Sequence, residues 1–278
     1  MARLYRLTMP DYQAELKVAR EVALSAGAVA SGYFGNDPAR ERKQDGSWVS
    51  EADRATEVAL REGLAEAFPD HNILGEEEGL KGAAGGDPDP EAPTWIVDPI
   101  DGTNNFLARI PVWGTLVALR VDGTSVVGVC HAPEIGETYE AALGSGARMN
   151  GEPIHVDAGV ALEDATFAYA SVQGFFENHL RIFFENVAES TARSRGFGDF
   201  WGHMLVARGA VHIMIEPTLS IWDVAALQPI VAEAGGRLTT LSGEPWRESG
   251  SCITTNGSLH DELLGRLRAT TPNWKEPT

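Results

Sequence analysis

The apolar run Thr94-Trp95-Ile96-Val97 ends abruptly on Asp98-Pro99-Ile100-Asp101-Gly102-Thr103-Asn104-Asn105. Such a run reads as a short buried strand, and a carboxylate at the end of a buried strand is costly unless its charge is compensated. Two carboxylates three residues apart, around a Pro and a Gly, leave two readings open. A divalent cation would offset the charge, and the turn fixed by Pro99 and Gly102 would let backbone carbonyls join the coordination. Alternatively, the two Asp side chains form a series of Asx turns and cap backbone amides.

Two further places carry acids out of an apolar context. Glu76-Glu77-Glu78 is bounded by Gly75 and Gly79. Acid runs are ordinarily solvated, yet Ile73-Leu74 directly before this one places its first glutamate at the end of a buried strand. Asp223, after Trp222, begins an apolar stretch over residues 224–231, where N-capping and metal ligation account for it equally well. The histidines, at 71, 131, 155, 179, 203, 212 and 260, show no HxH, HExxH or Cys/His spacing, which argues against zinc or iron. Carboxylate and carbonyl donors alone select a hard ion, Mg²⁺ or Mn²⁺. Dinucleotide-binding, P-loop and nucleophile-elbow patterns are absent.

Charge narrows the partners. Lys plus Arg number 22 against 40 Asp plus Glu, a net charge of −18. That field repels nucleic-acid phosphates and anionic lipid, so neither is expected as a partner. A small anionic substrate remains possible if the site contains a cation; no basic cluster stands out, which again favours a bound metal. Cys130 and Cys252 have no CxxC spacing and read as reduced, buried thiols. Residues 1–17 show no signal-type apolar run, so a cytoplasmic protein is expected.

The 278 residues suit one large domain or two small ones. Periodicity predicts helices over 11–33 and from Ser50 to about Phe68, with a loop over 35–48 between them. A Gly/Pro-rich mobile loop is predicted over 79–93. A strand over 94–97 and a hairpin of 115–121 with 126–130 follow. Strands over 166–170, 211–215 and 237–241 then alternate with helices over 175–189, 200–207, 222–234 and 258–268. This is a layered α/β or α+β order.

On three of these motifs the sequence resembles the inositol monophosphatase superfamily of Mg²⁺-dependent, lithium-sensitive phosphatases. The matching motifs are Gly75-Glu76-Glu77, the block from Trp95 through Asp98 and Asp101 to Phe106, and Trp222-Asp223-Val224-Ala225, with Glu233-Ala234-Gly235-Gly236 after it. The likeness spans residues 11–267. It implies an α/β (α+β) fold, a layered αβαβα sandwich of the inositol monophosphatase and sugar phosphatase type, and a homodimer. It further implies one phosphatase unit over 1–278, with the metal motifs in an N-terminal half (11–160) and the substrate pocket in a C-terminal half (161–278).

The resemblance assigns Glu76, Asp98 and the Ile100 carbonyl to a first metal. Asp98, Asp101 and Asp223 fall to a second and Glu76 to an optional third, so two or three Mg²⁺ are expected, with Mn²⁺ as a substitute. It gives the phosphate to the Gly102 and Thr103 amides, pairs Asp53 with the Thr103 hydroxyl, and makes Lys43 the lysine of a mobile loop. Within the superfamily, residues 193–201 (Arg-Ser-Arg-Gly-Phe-Gly-Asp-Phe-Trp) with Glu216-Pro217 and Trp222-Asp223 look most like histidinol-phosphate phosphatases. Inositol-type members usually carry a small residue where Asp199 stands, whereas Glu216 matches a substrate-binding glutamate of both branches. Asp199 also reads as a helix N-cap before Phe200. The function implied is a Mg²⁺-dependent phosphomonoesterase acting on L-histidinol phosphate. An inositol-1-phosphate or broad sugar-phosphate phosphatase, and a non-catalytic metabolite-binding homologue, are the competing readings.

Overall fold

The computed structural model describes residues 11–44 and 46–277, so the first ten residues of the N-terminal reading, and Asp45, lie outside the described residues. The chain runs α1 (Gln13–Tyr33), β1 (Arg40–Arg42), β2 (Trp48–Ser50), α2 (Glu51–Ala67), β3 (Asn72–Gly75), β4 (Gly79–Gly82), β5 (Thr94–Asp101) and α3 (Thr103–Leu107). β6 (Gly114–Val121), β7 (Thr124–Ala132), β8 (Glu137–Ala142), β9 (Ala147–Met149) and β10 (Glu152–Pro153) complete a first sheet. Then come β11 (Thr166–Tyr169), α4 (Val172–Glu177), α5 (Arg181–Ser190), β12 (Arg193–Gly196), α6 (Phe200–Ala207) and β13 (Ile213–Ser220). The chain closes through α7 (Ile221–Val224), α8 (Leu227–Glu233), β14 (Arg237–Thr239), β15 (Ser249–Thr255) and α9 (His260–Thr270).

Strand alternation explains the layering, because successive side chains leave opposite faces of a sheet. The first sheet, ordered β10-β9-β8-β7-β6-β5-β3-β4, sends Trp95, Val97, Val117, Leu119 and Val127 onto the alanine stripe of α1 and onto Leu60 and Leu64 of α2. Their neighbours Ile96, Leu116, Ala118 and Cys130 face the other way, onto Phe200 and Met204 of α6, Val224 of α7 and Ile230 of α8. Close approach on that side requires Gly128, where a Cβ would overlap the Ala226 carbonyl of the segment entering α8. The second sheet, β12-β11-β13-β15-β14, packs Ala168 and Met214 against Leu205 and Val206 of α6. Its opposite face puts Phe167, Ile213 and Ile253 onto Phe175, Phe183 and Leu263 of α4, α5 and α9. The result is the expected αβαβα sandwich. Cys130 and Cys252 are free and buried, and among the described residues no helix is long and apolar enough to cross a membrane.

Several element boundaries differ from the sequence reading. The strand at 94–97 continues to Asp101, with its register against β6 shifting between Asp98 and Asp101, so the two carboxylates stand on a bulge within a strand. The 35–48 loop contains β1, which pairs with β2, and the 79–93 loop opens with β4, antiparallel to β3. The 175–189 helix is two, α4 and α5, separated where His179 takes a φ of 59°. The 222–234 helix is also two: the backbone stays αR through Ala225 and Ala226, but Pro229 has no amide hydrogen to continue the ladder. β12 and β15 escaped prediction. β12 is a charged, exposed edge, and β15, although buried between β13 and β14, is mostly Ser, Thr and Gly and shows no apolar period.

Candidate active site

The bulge in β5 is where the site begins. Asp98 is 1% exposed, and its Oδ1 accepts from the Ile100 amide at 3.0 Å. Asp101 Oδ2 accepts from the Phe200 amide at 2.7 Å, so a side chain of the first sheet caps α6. Asp223 Oδ2 accepts from the Ser220 amide at 2.7 Å at the start of α7. One carboxylate oxygen from each of Asp98, Asp101 and Asp223 lies within 4.8 Å of the others. The capping and clustering readings of these acids therefore hold together in the same side chains. Burial, then mutual repulsion among the acids, holds Asp98 and Asp101 well above the usual carboxylate range, and burial pushes Asp223 to about 7. Like charges converging out of water, with oxygen donors only, are chemically suited to a hard divalent cation.

Glu76 follows β3 and shares the cleft with the three aspartates, but its carboxylate is not within their cluster. Lys43 Nζ, brought in by the chain between β1 and β2, donates to Glu76 Oε1 and Glu77 Oε1, both at 2.7 Å. Of the acid run only Glu78 is solvated, its side chain 45% exposed against 17% and 9% for Glu76 and Glu77. Burial raises Glu76 and takes Glu77 up to about 7.

Thr103 opens α3 behind Gly102, whose φ of 84° is the left-handed region that favours glycine. The Thr103 hydroxyl lies 3.0 Å from the Ile100 carbonyl oxygen and 3.3 Å from Asp53 Oδ1, its single hydrogen serving one at a time. Asp53 sits at the third position of α2, where Oδ2 accepts from the Ser50 amide at 2.8 Å and from its hydroxyl at 2.6 Å. That reciprocal cap fixes the free oxygen toward Thr103. Burial raises the Asp53 carboxyl.

The cleft encloses about 650 Å³ and is lined by Glu76, Asp98, Asp101, Thr103, Asp199 and Asp223 among others. Trp48 stands in its lining with the guanidinium of Arg42 4.7 Å and that of Arg40 5.5 Å from its ring centroid. Pairing of β1 with β2 thus brings two guanidinium groups beside Trp48 at the cleft. Asp199 holds the N-cap position of α6 without making a capping bond; the Phe200 amide goes to Asp101 instead. Its Oδ2 accepts from Asn105 Nδ2 at 3.4 Å, and burial with the nearby Glu216 charge lifts it to about 6. Glu216 does not line the cleft. It lies behind that wall, buried, with Oε1 3.2 Å from His203 Nε2, while His203 Nδ1 is 2.7 Å from Thr254 Oγ1. Burial pushes Glu216 up to about 8 and His203 down to about 3. His203, Thr254 and Glu57, which lies one turn beyond Asp53 on α2, escaped the sequence reading.

An αβαβα sandwich with a carboxylate cluster on a strand bulge at its cleft defines the class: the chain belongs to the inositol monophosphatase family, which matches residues 11–271, and is a phosphoric monoester hydrolase. Among its relatives, the histidinol-phosphatase of Streptomyces coelicolor is 40% identical over 269 residues, 93% of this chain and 98% of that protein. The histidinol-phosphatase of Mycobacterium tuberculosis is 42% identical over 234 residues, 82% and 88% of the two chains. An inositol monophosphatase of Thermotoga maritima superposes with a TM-score of 0.82 at 29% identity, covering 95% of this chain and all of that one.

Proposed function

We propose that the chain is a Mg²⁺-dependent phosphatase that hydrolyses L-histidinol phosphate to L-histidinol and phosphate. The observation that carries this reading is the placement of an acid, Asp199, in the wall of the cleft whose floor is the Asp98, Asp101 and Asp223 cluster. The named histidinol-phosphatase relatives support the choice of substrate. In this reading Asp98, Asp101, Asp223, Glu76 and the Ile100 carbonyl hold Mg²⁺, or Mn²⁺ in its place, with two or three ions per site. Bound Mg²⁺ supplies an activated water and stabilises the leaving alkoxide of an in-line displacement.

The chain's own residues do the rest. Gly102 and Thr103 present backbone amides to the phosphate, and the Thr103 hydroxyl, oriented by Asp53, takes part in proton transfer from the attacking water together with Glu76. Histidinol phosphate differs from a sugar or inositol ester in carrying an ammonium and an imidazole. Asp199 faces that cationic end, and Glu216 lies buried behind it. A desolvated cation needs such a partner, and a charge-assisted bond is worth about 1.5–3 kcal/mol. The same reading includes inhibition by lithium, a homodimer, a cytoplasmic location, and halves 11–160 and 161–278 acting as one catalytic unit.

Phosphate release measured side by side on histidinol phosphate, inositol 1-phosphate and fructose 1,6-bisphosphate in Mg²⁺ tests it. The expected order puts histidinol phosphate first by at least about tenfold in kcat/KM. Preference for inositol 1-phosphate would move the chain to the other branch, and no turnover of any monoester would leave a metabolite-binding homologue.

A further inference from the structure

We infer that Glu57, with Arg61, is the positioning residue that sets Glu76 at the cleft, an inference that rests on reading Glu76 as a metal ligand. Glu57 lies four residues beyond Asp53 on α2, so both carboxylates leave one face of the helix. It is 1% exposed. Its Oε2 accepts from the Glu77 amide at 2.7 Å and its Oε1 from the Glu78 amide at 3.0 Å. Arg61 Nε donates to the same Oε1 at 2.8 Å. Arg61 also reaches the carbonyls of Ile73 at 3.3 Å and Gly79 at 2.6 Å, binding both strands that flank the turn.

Gly75 completes the arrangement, because a Cβ there would overlap the Glu57 carboxylate. Glu76 is therefore bracketed: the residue before it is pressed against Glu57 and the residue after it is hydrogen-bonded to Glu57. On the open side, Lys43 holds the Glu76 carboxylate itself. One helix thus delivers Asp53 to Thr103 and Glu57 to the Glu76 turn, and fixes the spacing between them. Both carboxylate oxygens are used as acceptors, Oε1 by two donors and Oε2 by one. Glutamine has one acceptor oxygen, and its amide would point hydrogens at the Arg61 or backbone donors. Glu57 is not among the residues lining the cleft; it borders the adjoining cavity that it shares with Lys43, Glu76 and Glu77, so its effect on the chemistry runs through the Glu76 turn.

The test is Mn²⁺ binding to metal-free protein, followed by loss of the free-ion EPR signal, alongside phosphate release as a function of Mg²⁺ concentration. Glu57→Gln is nearly isosteric. It should weaken Mn²⁺ binding about tenfold, the ratio that losing one charge-assisted bond supports. The Mg²⁺ needed for half-maximal turnover should rise in step, with kcat at saturating Mg²⁺ within about twofold of the parent. Gly75→Ala, which displaces the carboxylate from its amides, should do the same. Glu76→Gln is the control. If it weakens Mn²⁺ while Glu57→Gln and Gly75→Ala do not, the positioning role is overturned and the ligand reading stands. If Glu76→Gln binds Mn²⁺ like the parent, the ligand reading falls and takes this inference with it. A loss of kcat at every Mg²⁺ concentration with unchanged Mn²⁺ affinity would make Glu57 a packing residue only, and would also overturn the inference.

Discussion

The floor and the wall of the cleft are both acidic, yet they are built differently. On the floor, Asp98, Asp101 and Asp223 come from two sheets' worth of chain and converge within 4.8 Å, each already engaged by a backbone amide. In the wall, Asp199 has a long contact with Asn105, and its partner acid Glu216 is held from behind by a neutral His203. A preformed cluster of repelling charges is the arrangement expected of a site whose cation comes from solution. A single, loosely held carboxylate over a buried one is the arrangement expected where the cation arrives on the substrate. On the proposed function the contrast would separate rate from choice: the floor would act on every ester that enters, and the wall would distinguish among them.

The sharpest way to break this division is at the floor. Asp98→Asn keeps an oxygen for the Ile100 amide but removes the charge, so the fold should survive. Phosphate release should fall by well over tenfold on every substrate, a loss of several kcal/mol of transition-state stabilisation. A rate above about a tenth of the parent would show that the cluster does not carry the reaction.

At the wall the expected effect is smaller and selective. Asp199→Ala should lower kcat/KM for histidinol phosphate by about 10- to 200-fold, the equivalent of one charge-assisted bond, while glycerol phosphate should change little. Equal losses on both esters would mean that Asp199 only supports the start of α6.

The smallest effect is on stability, and it tests whether the acids' strain is real. Burial raises Glu216 to about 8, Asp223 to about 7 and Asp199 to about 6. With folded values above unfolded ones, the native state binds the extra protons, so this contribution is fully present below about pH 4 and is lost as pH rises through about 6 to 8. In a chelator the thermal midpoint should therefore fall between about pH 7 and about pH 8, above the range in which the buried His131, His203 and His260 oppose the trend. Added Mg²⁺ should raise it more at the upper end, since a ligand that binds only the folded state stabilises it. A midpoint independent of pH and of Mg²⁺ would argue against the cluster as a cation site.

What the sequence disclosed follows the same physical divide. Asp98 and Glu76 were legible because a carboxylate directly after an apolar strand has few inexpensive explanations. The unbroken apolar run Trp95, Ile96 and Val97 likewise foretold a buried strand, and its two faces pack on α1 and α6. Glu57 and Arg61 were not legible: on a helix of mixed polarity, two charged residues a turn apart look like an exposed pair, although Glu57 is buried, Arg61 is half-buried and both serve backbone groups of another element. His203 has no neighbour in sequence that marks it. β15 packs through Cys252 and Ile253 at the centre of its sheet, but its hydroxyl-rich sequence hides the period that a strand needs to be recognised.

Asp101 has a bearing on how such an enzyme could change its diet. Its carboxylate belongs to the floor, yet it receives the amide of Phe200, the residue after Asp199. Remodelling the first turn of α6 to admit a different alcohol would pull on an oxygen that the catalytic centre also uses. On the proposed function, selectivity and turnover would be joined through that one hydrogen bond. Lineages of this fold exploring new esters would be expected to do so by exchanging the side chain at position 199 while leaving the backbone beneath it in place.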